Sequence, residues 1–232
     1  MGKRSMERQA SAIVNIVLVG LIFALYAITK QPDSFAVETF ASPIYKANTD
    51  ESISLQWVIS YNASSLDPIL DILEEENVRS TFMVSGKWAS QNPATLTRMA
   101  SLGHELGIIG MEPYDDGNLS WVTEDLTEAV SVVESLTGIR PKLYYSGDRR
   151  SATSSRACKK LDLTHVMCTL DLLCSQDTAE QIIKRAENAP SGSIILMRPT
   201  KQAAQALKAI IYCFRSRGIE PVTTGNLIGR SN

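Results

Sequence analysis

The stretch Ile53-Ser54-Leu55-Gln56-Trp57-Val58-Ile59 is apolar almost without interruption. A strand with one wet face alternates apolar and polar residues, whereas a strand covered on both faces reads as a near-continuous apolar run. This run is expected to be a short buried strand ending at the turn Ser60-Tyr61-Asn62. What covers it must come from the rest of the chain, and the pattern downstream supplies helices.

Ser64 to Asn77 is expected as a helix, with Leu66, Ile69, Leu70 and Leu73 on its apolar face and Glu74 to Glu76 as a solvated end. Arg79 to Ser85 reads as a strand, Pro93 to Leu102 as a helix stopped by Gly103, and His104 to Ile109 as a strand. A polar, acidic loop runs from Gly110 to Trp121. Thr123 is expected to cap the next helix, which carries Leu126, Ala129, Val130, Val133 and Leu136 and ends at Gly138. Strands at Lys142–Ser146, Thr164–Leu170, Ser193–Met197 and Glu220–Thr223 then alternate with helices at Thr153–Leu161, Thr178–Asn188 and Lys201–Arg217. Seven strands separated by helices define an α/β chain with a parallel sheet, either a closed or nearly closed barrel or a doubly wound sheet. In a barrel of this kind, ligands collect at the C-terminal ends of the strands.

The first fifty residues are of another character. Ala12 to Thr29 is an apolar run interrupted by Asn15, Gly20 and the terminal Thr29. As a helix it would rise about 27 Å, close to the thickness of a bilayer core. Lys3, Arg4 and Arg8 precede it, favouring a cytoplasmic N-terminus and an exported remainder. A cleaved signal peptide and a buried core helix are the competing readings. The expected organisation is a cytoplasmic tip and signal-anchor helix over 1–30, a stalk over 31–50 and one domain over 51–232. The protein would then be single-pass in the cell membrane, with its C-terminal domain extracytoplasmic. A formal charge of -2 gives no reason to expect nucleic acid as a partner. Of the four cysteines, Cys168 and Cys174 are near enough in sequence to meet around a turn. Cys158 and Cys213 fall in helical patterns, where buried thiols are expected.

Several landmarks occur in a fixed order. They are Leu70-Asp71-Ile72-Leu73, then Asn77 to Val84, Gly103-His104-Glu105-Leu106-Gly107, Thr137-Gly138-Ile139-Arg140-Pro141, Gly192 to Leu196, and Val222-Thr223. Together they resemble the polysaccharide deacetylases of the NodB-homology type, carbohydrate esterase family 4, over roughly Ile53 to Gly229. The resemblance implies a distorted (β/α)7 barrel. It also implies hydrolysis of acetyl groups on polymers such as chitin and peptidoglycan, with a divalent metal such as zinc held by one Asp and two His. A second Asp would activate the metal-bound water, and a later His would protonate the leaving group.

Position by position, those side chains are replaced. The family's T-F-D-D-G falls on Gln56 to Ser60, so Val58 stands for the base and Ile59 for the ligand. H-x-x-x-H falls on Ile109 to Pro113, with neither imidazole. R-P-P-Y falls on Tyr145 to Asp148, without the arginine. D-x-x-D-W falls on Asp171 to Ser175 and keeps its first Asp, and L-H-D falls on Met197 to Pro199, placing Arg198 where the acid stood. The chain has two histidines, His104 and His165, both expected at strand starts as structural residues.

No metal or other cofactor is therefore expected. Acidic residues near the strand ends, Glu112, Asp115, Asp116, Asp148 and Asp171, would suit a hard cation better than a hydrolytic zinc. Arg198 is too basic to act as an acid and is expected to pair with Asp171. Ser60, Ser85 and Ser146 end strands, but no histidine is expected beside them. Trp57, Tyr61, Tyr114, Tyr144 and Tyr145 are candidates to line a glycan groove with Glu112, Asp148, Asp171 and Arg198, burial being the preferred reading for Trp57 and one of the tyrosines. The expectation is a membrane-anchored, non-catalytic member acting as a cell-wall glycan-binding or regulatory module. The alternatives are an active carbohydrate deacetylase with a site rebuilt from these carboxylates, and an interaction module for another envelope protein.

Overall fold

The computed structural model describes residues 17–22, 42–61, 65–112, 118–147 and 152–230. The chain divides into Met1–Thr39 and Phe40–Asn232. In the first unit, residues 17–22 are helical with exposed side chains. The greater part of the expected Ala12–Thr29 span lies outside the described residues, and among those described no helix is long and apolar enough to cross a membrane.

The second unit is a parallel sheet of β1 (Ser52–Ile59), β2 (Thr81–Val84), β3 (Glu105–Ile108), β4 (Leu143–Tyr145), β5 (Thr164–Val166), β6 (Leu170–Asp171), β7 (Ile194–Met197) and β8 (Glu220–Val222). Their order is β5-β4-β3-β2-β1-β7-β6, with β8 beside β1. Between them run α1 (Leu66–Glu75), α2 (Gly86–Gln91), α3 (Pro93–Ser101), α4 (Leu119–Thr137), α5 (Ala152–Leu161), α6 (Ala179–Glu187), α7 (Lys201–Ser216) and α8 (Thr224–Leu227). The sheet curls into a half-barrel with β1 at its centre, paired with β2, β7 and β8.

Alternation along β1 divides the core in two. Ile53, Leu55, Trp57 and Ile59, all fully buried, face the helices and join the large cluster that includes Leu70, Leu73, Leu207 and Ile210. Each such side chain contributes roughly 1.5–3 kcal/mol by leaving water. The opposite face looks into the half-barrel, where Met83, Ile109, Tyr145, Val166, Met167 and Leu196 form a second cluster with Val58 packed against it. Gly107 makes room there, since a Cβ would lie 2.2 Å from the Met83 sulfur.

Three local expectations are corrected. The strand expected over Thr164–Leu170 is two strands on opposite edges of the sheet, β5 beside β4 and β6 beside β7. The gap between these edges is bridged by residues 44–47 from the segment expected as stalk. Ile44 N donates to His165 O, Met167 N to Ile44 O, and Ala47 N to Gly192 O, at 2.9, 2.8 and 2.8 Å. Thr169 Oγ1 adds a bond to Tyr45 O. Gly192, at φ +76°, permits the close approach, because a Cβ would lie 2.2 Å from Ala47 O. The helix expected to begin after Thr123 begins a turn earlier: Asn118 accepts from Trp121 N at 3.0 Å, and Thr123 bonds back to Leu119 O inside the helix. The short helices α2 and α8 were not expected. Ser85 and Thr223 cap them by accepting from Trp88 N and Asn226 N.

At the N-terminal ends of the strands, α8 is tied to the sheet by buried polar groups. Glu105 Oε2 accepts from Thr81 Oγ1 at 2.7 Å and from Gly225 N at 2.9 Å. Thr224 N donates to Thr81 Oγ1 at 2.7 Å, and Thr224 Oγ1 meets Ser54 Oγ at 2.6 Å.

Candidate functional site

The C-terminal strand ends carry a cleft of about 430 Å³ between the ends of β1 and β7, lined by Val58, Ser60, Tyr61, Ser175, Arg198 and Lys201 among others. Val58 and Ile59, adjacent in sequence, part company here. Val58 is half-buried and borders the cleft, while Ile59 is fully buried on the helix side. Ile109 belongs to the apolar filling of the half-barrel, and Pro113 lies outside the described residues.

Arg198 and Asp171 come together as their sequence positions imply. Arg198 Nη1 donates to Asp171 Oδ2 at 2.9 Å, while Asp171 Oδ1 accepts from Leu173 N at 2.8 Å. Leu173 adopts φ +52°, which turns its N–H back onto the carboxylate. Burial works against the Arg198 charge, but the hydrogen bond and charge of Asp171 outweigh it and raise the guanidinium pKa further. Burial likewise pushes the Cys168 and Cys174 thiols up, with the Asp171 charge adding to the effect. All four cysteines are free.

Three of the candidate groove aromatics are buried elsewhere. Trp57 is fully buried on the helix side and stacks on Phe82 at a centroid distance of 6.2 Å, because odd positions of β1 face outward. Tyr145 is buried inside the half-barrel, where its hydroxyl reaches Cys168. Tyr144, on the opposite side of β4, is buried beside His165. Tyr61 is half exposed at the cleft. Glu112 is held by Lys87 at 2.6 Å on an exposed rim. Tyr114, Asp115, Asp116 and Asp148 lie outside the described residues. The cleft also takes Ser65, Thr200 and Lys201, which sequence reasoning missed. The signal available was their position just after a strand end or at a helix start.

A metal of the family's kind does not fit this donor set. The positions that would supply it are Ile59, Ile109 and Pro113, and among the described residues no three His, Cys, Asp or Glu side chains gather. His104 and His165 stand apart from the cleft. His104 Nδ1 accepts from Ser80 N at 3.2 Å, so Nε2 carries the proton, and Phe82 meets the ring edge-on. His165 does reach a strand-end serine, contrary to the expectation: its Nε2 lies 2.7 Å from Ser146 Oγ and its Nδ1 3.1 Å from Ser155 Oγ. Burial lowers its pKa to about 4, which makes it a weak base, and Ser146 is itself buried.

Both histidines therefore enter the fold neutral. Burial, joined for His104 by the charges of Arg79 and Arg98, lowers each pKa from 6.5 to about 4. Their unfolded forms bind protons first, so this stability is complete above pH 6.5 and is lost as pH falls toward 4. The loss amounts to roughly 3 kcal/mol per histidine at most. Glu105 works in the opposite direction: burial raises its pKa, so its contribution is lost as pH rises. Urea midpoints at pH 7 and pH 4.5 are expected to show a net acid loss that is clearly smaller in a His165→Asn variant. An equal loss in that variant would count against the assignment.

A parallel half-barrel with this motif framework and a strand-end cleft has the architecture of a NodB-type carbohydrate esterase. The family model "Polysaccharide deacetylase" matches residues 46–166, and the chain belongs to that family. It is 29% identical over 187 residues to the uncharacterized protein YlxY of Bacillus subtilis, covering 76% of this chain and 57% of that one. It is 26% identical to the peptidoglycan-N-acetylglucosamine deacetylase PgdA of Listeria monocytogenes, covering 79% and 40%. The chain thus spans about half the length of these relatives. Among solved structures, BA3943 of Bacillus anthracis, described as a CE4 family pseudoenzyme, shares the fold. Its TM-score is 0.77 at 18% identity, over 81% of this chain and 69% of that one. The Bc1960 peptidoglycan N-acetylglucosamine deacetylase superposes with a TM-score of 0.78 at 21% identity, over 87% and 98%.

Proposed function

We propose that this protein is a membrane-anchored, extracytoplasmic and non-catalytic member of the polysaccharide deacetylase family that binds cell-wall glycan in its strand-end cleft, without a metal. One observation carries the reading: the cleft is retained while the side chains that would activate water are not. Val58 and Ile59 offer no lone pair, and Arg198 is salt-bridged where a proton donor would stand. What remains, Tyr61 with the hydroxyls of Ser60 and Ser65, suits stacking and hydrogen bonding to sugar. The Listeria relative named for peptidoglycan supports the choice of polymer. A rebuilt carboxylate site is less well supported, because Asp171 is engaged by Arg198 and Leu173 N, and Glu112 by Lys87. The anchor rests on the apolar run Ala12–Thr29 and its preceding cations.

The test uses the full chain. We expect no acetate release from acetylated chitooligosaccharide or peptidoglycan with zinc, cobalt or nickel supplied, and retention on purified cell wall that Tyr61→Ala weakens about tenfold. The chain should sediment with membranes and leave them in detergent but not in high salt. Acetate release with stoichiometric metal would establish the active reading instead. Retention by no glycan would favour a protein partner.

A further inference from the structure

The replacement of a titratable histidine by Arg198 fixes a permanent positive charge in the cleft as well as removing a reaction step. Resting on the glycan-binding reading above, we infer that the ligand is an anionic wall polymer, bound through a carboxylate or phosphate group at Arg198 and Lys201.

Both side chains line the cleft beside Tyr61. The one carboxylate bonded to Arg198, Asp171, is compensated twice, by Arg198 Nη1 at 2.9 Å and by Leu173 N at 2.8 Å. Arg198 presents five N–H donors in a planar fork, so the bond to Asp171 leaves donors on a side chain that is 42% exposed. Asp171 also fixes the guanidinium in place, which lowers the entropy lost when it takes a second oxyanion. Lys201 is exposed at the start of α7, and no Asp or Glu lines the cleft among the described residues. Two cations therefore stand against one carboxylate. A planar fork beside a point charge matches a carboxylate or phosphate, and Tyr61 offers a face for an adjoining sugar ring. A neutral acetylated glycan would use the tyrosine and hydroxyls but leave Lys201 and the remaining donors of Arg198 without an anion.

The decisive experiment compares binding of the full chain to four polymers: peptidoglycan strands with carboxylates intact, the same strands after carboxyl amidation, poly(glycerol phosphate), and chitopentaose. The charged strands are expected to bind at least about tenfold more tightly than the amidated ones, with a preference that shrinks as salt is raised. Lys201→Gln, an exposed change that spares the fold, should remove much of that preference, and Arg198→Gln the rest, while the weak binding of chitopentaose persists. Stronger retention of poly(glycerol phosphate) than of peptidoglycan would identify phosphate as the anion. Equal binding of amidated and charged strands, or an unchanged ratio in both variants, would overturn the inference and leave glycan binding standing. Binding of none of the four would overturn both.

Discussion

Replacing Ile59 by aspartate is expected to destabilise the protein by about 3–5 kcal/mol, although the substitution restores the residue type at the family's metal-ligand position. Ile59 is fully buried in the cluster between sheet and helices. A carboxylate there would lose its hydration among aliphatic side chains with no cation to pair with, and the alternative of protonation costs stability as well. The neighbouring Val58→Asp is expected to cost about 1 kcal/mol or less, because Val58 is half-buried and borders the cleft. Urea denaturation of the two variants measures the contrast. Similar midpoints, or a rise in the Ile59→Asp midpoint on adding zinc, would mean that the side chain at 59 turns toward the cleft. The same contrast says why a single substitution should not recover the chemistry of an active relative: the second carboxylate has no open space to occupy.

The second large effect is expected at the opposite end of the strands. Glu105→Ala should cost roughly 2–4 kcal/mol, since Thr81 Oγ1 and Gly225 N would both lose their acceptor in a buried setting. Glu105→Gln keeps an oxygen in place and should cost less. Gly225→Ala attacks the same contact from the other side: a Cβ would lie 2.1 Å from Glu105 Oε1 and 2.5 Å from Arg230 O, and the second of these is backbone. Thermal unfolding of the three variants should rank Gln as the mildest. If Glu105→Ala melts with the wild type, the network is ornamental to the fold.

These two ends of the molecule show what the sequence could and could not disclose. The Gly103-His104-Glu105-Leu106-Gly107 landmark is legible because each residue meets a fixed geometric demand. Gly103 takes φ +76°, His104 receives Ser80 N, Glu105 holds α8, and Gly107 makes way for Met83. Such demands concern the scaffold, so they persist when chemistry changes, and they located the strands to within a residue or two. The pairing of Arg198 with Asp171 was legible for a similar reason, as two charges at adjacent strand ends. The direction of Trp57 and Tyr145 was harder to read. In a strand apolar on both faces, period-two alternation carries no contrast, so helix side and barrel side look alike. The division of Thr164–Leu170 was hidden more deeply, because it depends on residues 44–47, more than a hundred positions away, inserting between the two edges. Lys201 carries no signal of its own in the sequence, where it reads simply as the first residue of a helix.

The central place of β1 has a consequence for the order of events when the chain folds. Its partners β7 and β8 are distant in sequence, and so are the contacts that close the sheet onto α8. The Ser54–Thr224 bond closes 170 residues, and those joining Thr81 of β2 to Thr224 and Glu105 of β3 to Gly225 close 143 and 120. Loop closure on that scale must come before the contacts that repay it, which makes such topologies slow. Among the described strands β1 is synthesised first, and its neighbours β7 and β8 are made last. It can collapse early against α1, but its pairing is incomplete until residues 220–222 have been synthesised. Truncation before β8 should accordingly leave not a smaller barrel but an unfinished one, with its middle strand still waiting for a neighbour.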